Sequence, residues 1–397
     1  MQTHAVYLCR HLVERGYSIT VATYRTPSAA VEDDALPFAV HRRLSRVSYW
    51  ENLRVLTTLA SECRADVLYA STVFYGALRA LTGLPVICRS PGNDILRPWI
   101  AWPYQALSRT LSRPAVEDRL FERFRRLDWP ERLELLMLHR RRQAMIHSAC
   151  QHARVLANSA YTAGLLNGIG LDAPQVRVLT GGVDSARFQP RGESKPVIRA
   201  RLGLSESCFL LMTACRLVPK KGLGLLLHAM ATLRRTMPDA HLVVVGNGRE
   251  AVAAMRLAQE LGVADAVTFT GAIAHGQLHE YYWAADQFLL ASREHVDPGT
   301  GLRDVETMGR VLCEANAAGL PTIAARSGGI PSIIDHGVNG LLFEEDDQEQ
   351  LVARITQLRN DASLARRLTV QGLHRATHQF DWSVVCDAHE AEFRCFE

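Results

Sequence analysis

Apolar residues along this chain come in two alternating forms: short continuous runs and longer stretches with an apolar stripe at helical spacing. The alternation is clearest in the second half. Phe209 to Leu217 predicts a strand, followed by a helix from Gly222 to about Arg235. His241 to Val245 is the next strand, closed by Gly246-Asn247-Gly248, and a helix from Glu250 to Leu261 leads to the strand Ala266 to Thr270. Helix His275 to Ala285 and strand Gln287 to Ala291 follow, and Thr322 to Ala325 is a further strand. Strands that are apolar throughout, separated by amphipathic helices, argue for a parallel sheet with helices on both faces.

The first half repeats the rhythm more loosely. It predicts a helix over Thr3 to Arg15, strands Ser18 to Tyr24 and Phe38 to Arg43, and a helix Asn52 to Cys63. Strand Asp66 to Ala70, helix Phe74 to Leu81 and strand Pro85 to Arg89 come next, with Arg154 to Asn158 and Val176 to Leu179 as the last two strands. The segment Phe188 to Pro196, polar with two prolines and a glycine, marks a boundary. The chain thus reads as α/β, with two doubly wound Rossmann-like domains over 1–190 and 191–378 facing across a cleft. A C-terminal helix, 379–397, returns to the first domain.

Composition adds little that is specific. For 397 residues two domains are the natural expectation. With 48% hydrophobic and 22% charged residues and a net charge of +4, nothing calls for a nucleic-acid partner. No run of eighteen apolar residues would span a bilayer, and the first residues lack the pattern of a signal peptide. The nine cysteines are scattered without a Cys-x-x-Cys pair, which fits a reducing cytoplasm and no structural zinc. One segment breaks the rhythm. Residues 97–149 interleave arginines, among them Arg109, Arg123, Arg125, Arg126 and Arg140 to Arg142, with Trp99, Trp102, Phe121, Phe124 and Trp129. They read either as solvated helices or as a surface for an anionic acceptor or membrane leaflet.

The chemistry concentrates around Glu306 and Glu314, which have seven residues between them. A helix beginning near Met308 leaves Glu306 in the loop before it and Glu314 facing outward in its second turn. A helix N-terminus favours phosphate, and a carboxylate can accept hydrogen bonds from both hydroxyls of a vicinal diol. Arg216 at a strand end and Lys221 at a helix start would supply two cations for a diphosphate leaving group. No Asp-x-Asp motif asks for a metal, so none is expected. The run Glu344-Glu345-Asp346-Asp347 reads as a solvated loop before a helix.

These motifs, in this order, resemble the family-4 retaining glycosyltransferases of the GT-B fold. The resemblance rests on Arg216 to Gly222, Gly246-Asn247-Gly248, Phe269 to Ile273, Tyr282 to Asp286, Glu306 with Glu314, Gly328 to Pro331 and Asn339 to Phe343. Ala157-Asn158-Ser159 and Gly181 to Asp184, with Phe188 and Pro190, carry it into the first half. It implies a cytoplasmic hexosyltransferase, in contact with the inner face of the plasma membrane or free of it. The enzyme would use a UDP- or GDP-sugar as donor substrate and no further cofactor. Arg216, Lys221 and Glu306 would be catalytic. Gly246, Gly248, Ile273, Met308, Gly309, Arg310 and Glu314 would bind the donor, with Glu314 on the ribose diol, Ile273 on the base and Glu306 on the transferred sugar. No protein nucleophile is implied; the leaving phosphate takes the acceptor proton. The acceptor would be a saccharide, a lipid-linked sugar or a small molecule, in envelope polysaccharide or other glycoconjugate synthesis.

The chain departs from the family pattern at several places. Pro91-Gly92-Asn93-Asp94 stands where the family has His-Gly-x-Asp, so the histidine's role is unfilled, and Asn93 and Asp94 form either a contact or a turn. Thr307 replaces a glycine, Arg310 an apolar residue, and His295 lies in a lengthened donor loop. The chain also opens in a helix where the family has a central strand and a Gly-rich turn. The expectation is that the first strand of the N-terminal domain is missing, its neighbours' edges are unpaired, and the natural protein begins upstream. Two other classes of function compete: a sugar-nucleotide epimerase or hydrolase, and a non-catalytic scaffold.

Overall fold

A computed structural model describes residues 2–25, 35–46, 48–96, 153–274, 276–298 and 301–396, with 113, 115, 116, 119 and 146. The described residues form two compact units, one of Met1–Leu179, Val296–Arg303 and Cys386–Glu397, the other of Thr180–His295 and Asp304–Val385. The division falls at Leu179, before the Pro190 segment. Val183 and Phe188 are buried in the core of the second unit, and the Val183 N–H donates to Phe380 O at 2.7 Å. The arginine-rich segment 97–149 and its expected acceptor surface lie outside the described residues, apart from the isolated positions named.

In the first unit, strands β1 (Thr20–Tyr24) and β2 (Ala39–Leu44) pair in parallel. Strands β3 (Leu68–Ala70), β4 (Val86–Ser90), β5 (Arg154–Ala157) and β6 (Val176–Val178) form a separate four-stranded parallel sheet in that order. Among the described residues no ladder joins the β1–β2 pair to the β3–β6 sheet. The helix Gln2–Glu14 buries Leu8 and Leu12 and ties to β3 through His4 Nε2 and Tyr69 Oη at 3.1 Å. Ser48 caps the helix Tyr49–Glu62 by accepting from the Glu51 N–H, and Ser159 caps Ala160–Gly168 by accepting from Thr162.

The second unit is a six-stranded parallel sheet, β14-β13-β10-β7-β8-β9. Its strands are β7 (Phe209–Ala214), β8 (Ala240–Val245), β9 (Val267–Gly271), β10 (Gln287–Leu290), β13 (Thr322–Ala325) and β14 (Leu341–Phe343). A short ladder of β11 (His295–Val296) and β12 (Arg303–Asp304) lies between β10 and β13 in sequence. Both faces of the large sheet are covered. Leu210, Met212, Val243, Phe288 and Ala324 enter one apolar cluster, while their neighbours Leu211, Leu242, Leu289 and Ile323 enter the other. That two-sided burial explains why the strands read as continuous apolar runs. No helix among the described residues is long and apolar enough to cross a membrane.

Candidate active site

Read from the β9 edge, the large sheet has its strands in sequence order 3-2-1-4-5-6, and the order reverses between β7 and β10. Connections leave β7 and β10 in opposite directions there, which opens a crevice beyond their C-terminal ends, the usual place for a ligand in a doubly wound sheet. Lys221 lies on the segment after β7 and Glu306 on the segment after β10.

The β7 segment is shaped by backbone packing. Arg216 and Leu217 leave the strand, Pro219–Lys221 form a short 3-10 turn, and the helix Leu223–Thr236 begins. The Gly246-Asn247-Gly248 loop braces this segment: Leu217 N–H donates to Asn247 O and Glu250 N–H to Leu217 O, both at 3.0 Å. A Cβ on Gly246 would stand 1.9 Å from Cys215 O, and one on Gly248 2.3 Å from Leu217 O. Only glycine allows this approach. Arg216 is exposed, and no side-chain hydrogen bond or ion pair among the described residues holds its guanidinium.

Lys221 Nζ donates to Glu306 Oε2 in a direct ion pair. Both side chains are nearly enclosed, 11% and 14% exposed, so each charge depends on the other. Burial pulls the Lys221 pKa down, but Glu306 outweighs it and the ammonium is held above its ordinary value. Burial likewise pushes Glu306 up, while Lys221, Lys220 and the Gly309 N–H bring its carboxyl below the ordinary value. The pair is therefore ionised at neutral pH. Its backbone is fixed as well, because Glu306 O accepts from Gly329 N–H at 2.8 Å.

Helix Arg310–Ala317 starts two residues later than the sequence predicts, because Gly309 takes a left-handed conformation at φ 86° and turns the chain at Met308. Met308 is buried, and its Sδ accepts from the Gly181 N–H at 3.2 Å. Ile273, past the end of β9, packs partly buried on the same apolar cluster as Met308 and Tyr282. Glu314 does not face outward as expected. Only 5% of its side chain is exposed, because Tyr282 Oη donates to Oε2 at 2.9 Å and Arg310 Nε lies 3.6 Å from Oε1. Burial raises the Glu314 pKa; Arg310, the Tyr282 hydrogen bond and the charge of Arg187 offset it only in part.

Two features were not legible in the sequence. Lys220 is buried, and its Nζ donates to Asp304 Oδ1 at 2.8 Å and to Val305 O at 3.0 Å, fixing the residues before Glu306. In the acidic run Glu344 and Asp346 stay exposed, as expected of a solvated loop, and each member also has a partner. Glu344 meets Arg326 at 2.9 Å, Glu345 accepts from Glu294 N–H at 2.9 Å, Asp346 meets Arg293 at 3.3 Å, and Asp347 caps the helix Gln348–Asn360. In the first unit, Asp94 is tied inward, accepting from Ser90 Oγ at 2.7 Å and Val73 N–H at 3.1 Å, which fits the turn reading of Pro91 to Asp94.

Residues 1–187 match the family described as Glycosyltransferase Family 4, and residues 194–375 match Glycosyl transferases group 1. A GDP-mannose-dependent alpha-(1-6)-phosphatidylinositol monomannoside mannosyltransferase of Mycolicibacterium smegmatis is 36% identical over 204 residues, 51% of this chain and 52% of the relative. A D-inositol 3-phosphate glycosyltransferase of Segniliparus rotundus is 34% identical over 248 residues, 61% and 52% of the two chains. The chain thus spans about half the length of the curated relatives it matches. Anabaena HepE in complex with UDP shares the fold with TM-score 0.74 at 19% identity, over 98% of this chain and 96% of that one. Sucrose-phosphate synthase from Thermosynechococcus elongatus has the same TM-score at 20% identity, over 98% and 91%. With both halves matched and the fold shared, the chain belongs to the group 1, family 4 glycosyltransferases of GT-B fold.

Proposed function

We propose that this chain is a retaining glycosyltransferase that moves a hexosyl unit from a nucleotide-diphosphate sugar to a saccharide or lipid-linked acceptor. The observation that carries the reading is the enclosed Lys221–Glu306 pair at the reversal point of the sheet, with buried Glu314 on the next helix. Lys221 and Arg216 would meet the charge that develops on the leaving diphosphate. Glu306 would hold hydroxyls of the transferred sugar, helped by the backbone of Met308, Gly309 and Arg310. Glu314 would hold the ribose, with the Gly246-Asn247-Gly248 loop and Ile273 on the nucleotide side. The bond from the anomeric carbon to the diphosphate oxygen breaks, a bond to the acceptor oxygen forms on the same face, and the acceptor proton passes to the leaving phosphate.

GDP-mannose is the favoured donor, since relatives such as the M. smegmatis protein carry that specificity in their names. The same names favour a phosphoinositol-type acceptor, free or lipid-linked. Incubation with GDP-mannose, UDP-glucose and other nucleotide hexoses, with and without acceptor, tests the reading through release of free GDP or UDP. Acceptor-dependent release with retained anomeric configuration is expected. Release independent of acceptor would make the protein a hydrolase, and no turnover with any donor would overturn the enzymatic reading.

A further inference from the structure

Glu314 has two polar partners of unlike character. Arg310 reaches it from one turn earlier on the same helix at 3.6 Å, with 38% of its side chain exposed. An exposed guanidinium at that distance can swing away when a ligand arrives. Tyr282 cannot. It is 1% exposed, its ring stacks on Phe288 with centroids 5.4 Å apart, and the ring of Phe188 meets it edge-on at 5.4 Å. The next residue, Trp283, is pinned by its own indole N–H, which donates to Phe188 O at 2.6 Å. The Tyr282 hydroxyl hydrogen has two acceptors in reach, Glu314 Oε2 at 2.9 Å and Val311 O at 3.4 Å. The shorter, charged acceptor takes it.

We propose that Tyr282 is the positioning residue of the diol clamp, fixing Glu314 Oε2 so that Oε1 and the remaining lone pairs are presented to the vicinal hydroxyls of a nucleotide ribose. The inference rests on the assignment of Glu314 to the donor nucleotide. A carboxylate free to rotate about its last torsion would offer a diol several geometries. One anchored through a buried phenol offers one, and the ligand meets it without first ordering it. The phenol also acts on charge. Burial favours the neutral acid of Glu314, and the Tyr282 hydrogen bond, after the charge of Arg310, opposes it and so favours the acceptor-only form that a diol requires. Packing alone would be served by phenylalanine, which keeps the contacts with Phe188 and Phe288 but lacks the donor.

Calorimetry with UDP and GDP, and with the 2′,3′-dideoxy form of whichever binds, tests this on the native chain, Tyr282→Phe and Glu314→Gln. Tyr282→Phe should lose roughly tenfold in affinity for the ribonucleotide, the scale of one hydrogen bond to a charged group. Affinity for the dideoxynucleotide should not change. The loss should also grow as pH falls, since Glu314 without its phenol protonates more readily. 3-Fluorotyrosine at position 282 keeps the donor and should restore the native preference for the ribonucleotide. Equal losses for both nucleotides would mean that Tyr282 only packs, and the proposal would be wrong. Full ribonucleotide affinity in Tyr282→Phe, beside a loss in Glu314→Gln, would also refute it while leaving the donor reading intact. Undiminished binding by Glu314→Gln would instead remove the ribose assignment on which the inference stands.

Discussion

Lys221 Nζ and Glu306 Oε2 touch across 85 residues of sequence, joining the segments that follow β7 and β10. Arg216, five residues before Lys221, is exposed. The two cations should therefore respond differently to removal. Lys221→Ala and Arg216→Ala should each lower turnover by ~10²-fold, the scale of one preorganised electrostatic stabiliser. Only Lys221→Ala should also lower the melting temperature, because it leaves the enclosed Glu306 carboxylate without its partner. Steady-state rates and thermal unfolding check both parts. Undiminished turnover in the double variant would remove the diphosphate assignment.

Glu306 and Glu314 should divide turnover from affinity. Glu314→Ala should weaken binding of free UDP or GDP by ~1–3 kcal/mol, as for losing charge-assisted hydrogen bonds. Glu306→Ala should leave nucleotide affinity closer to native and depress turnover instead. Calorimetry beside initial rates decides the matter, and equal loss of affinity in the two variants contradicts the assigned roles.

The strands of the second unit were legible because burial on both faces writes itself into consecutive positions; Thr322–Ala325 is found where the sequence puts it. The start of the Glu314 helix was misplaced because a left-handed Gly309 leaves the apolar pattern around Met308 unchanged. Glu314 was read as outward because its main partner, Tyr282, lies 32 residues upstream, beyond any helical period. The ion pairs of the exposed acidic run were hidden for the same reason: its partners Arg293 and Arg326 come from other loops. Periodicity reports which face is apolar, whereas a buried charge announces itself only when its partner is seen.

Asp94 should make the first unit's stability depend on pH. Burial pushes its carboxyl up to about 6, although hydrogen bonds from Ser90 and Val73 pull it down. Because the folded value lies above the ordinary 3.8, its contribution is fully present below the unfolded value and is lost as pH rises through the folded one. The stability advantage of the native protein over Asp94→Asn, measured by denaturant unfolding, should narrow between about pH 4 and about pH 7. A constant difference over that range would show that Asp94 titrates as an ordinary carboxylate.

Lys220 should control the acid limb of the activity profile without touching donor. Its ammonium is buried, bonded to Asp304 and to Val305 O, and its charge is among those that hold the Glu306 carboxyl below the ordinary value. Lys220→Met removes that charge, so the Glu306 pKa should rise and the acid limb of turnover should move to higher pH. Stability should fall by ~3–5 kcal/mol, as when one partner of a buried pair is lost. Pairing Lys220→Met with Asp304→Asn should recover part of that stability, since position 304 then no longer carries a charge that has lost its Lys220 contact. The acid limb should stay displaced in the double variant, because the missing cation is the cause. A limb that returned to its native position with Asp304→Asn would mean that Lys220 acts on Glu306 only through the loop it holds.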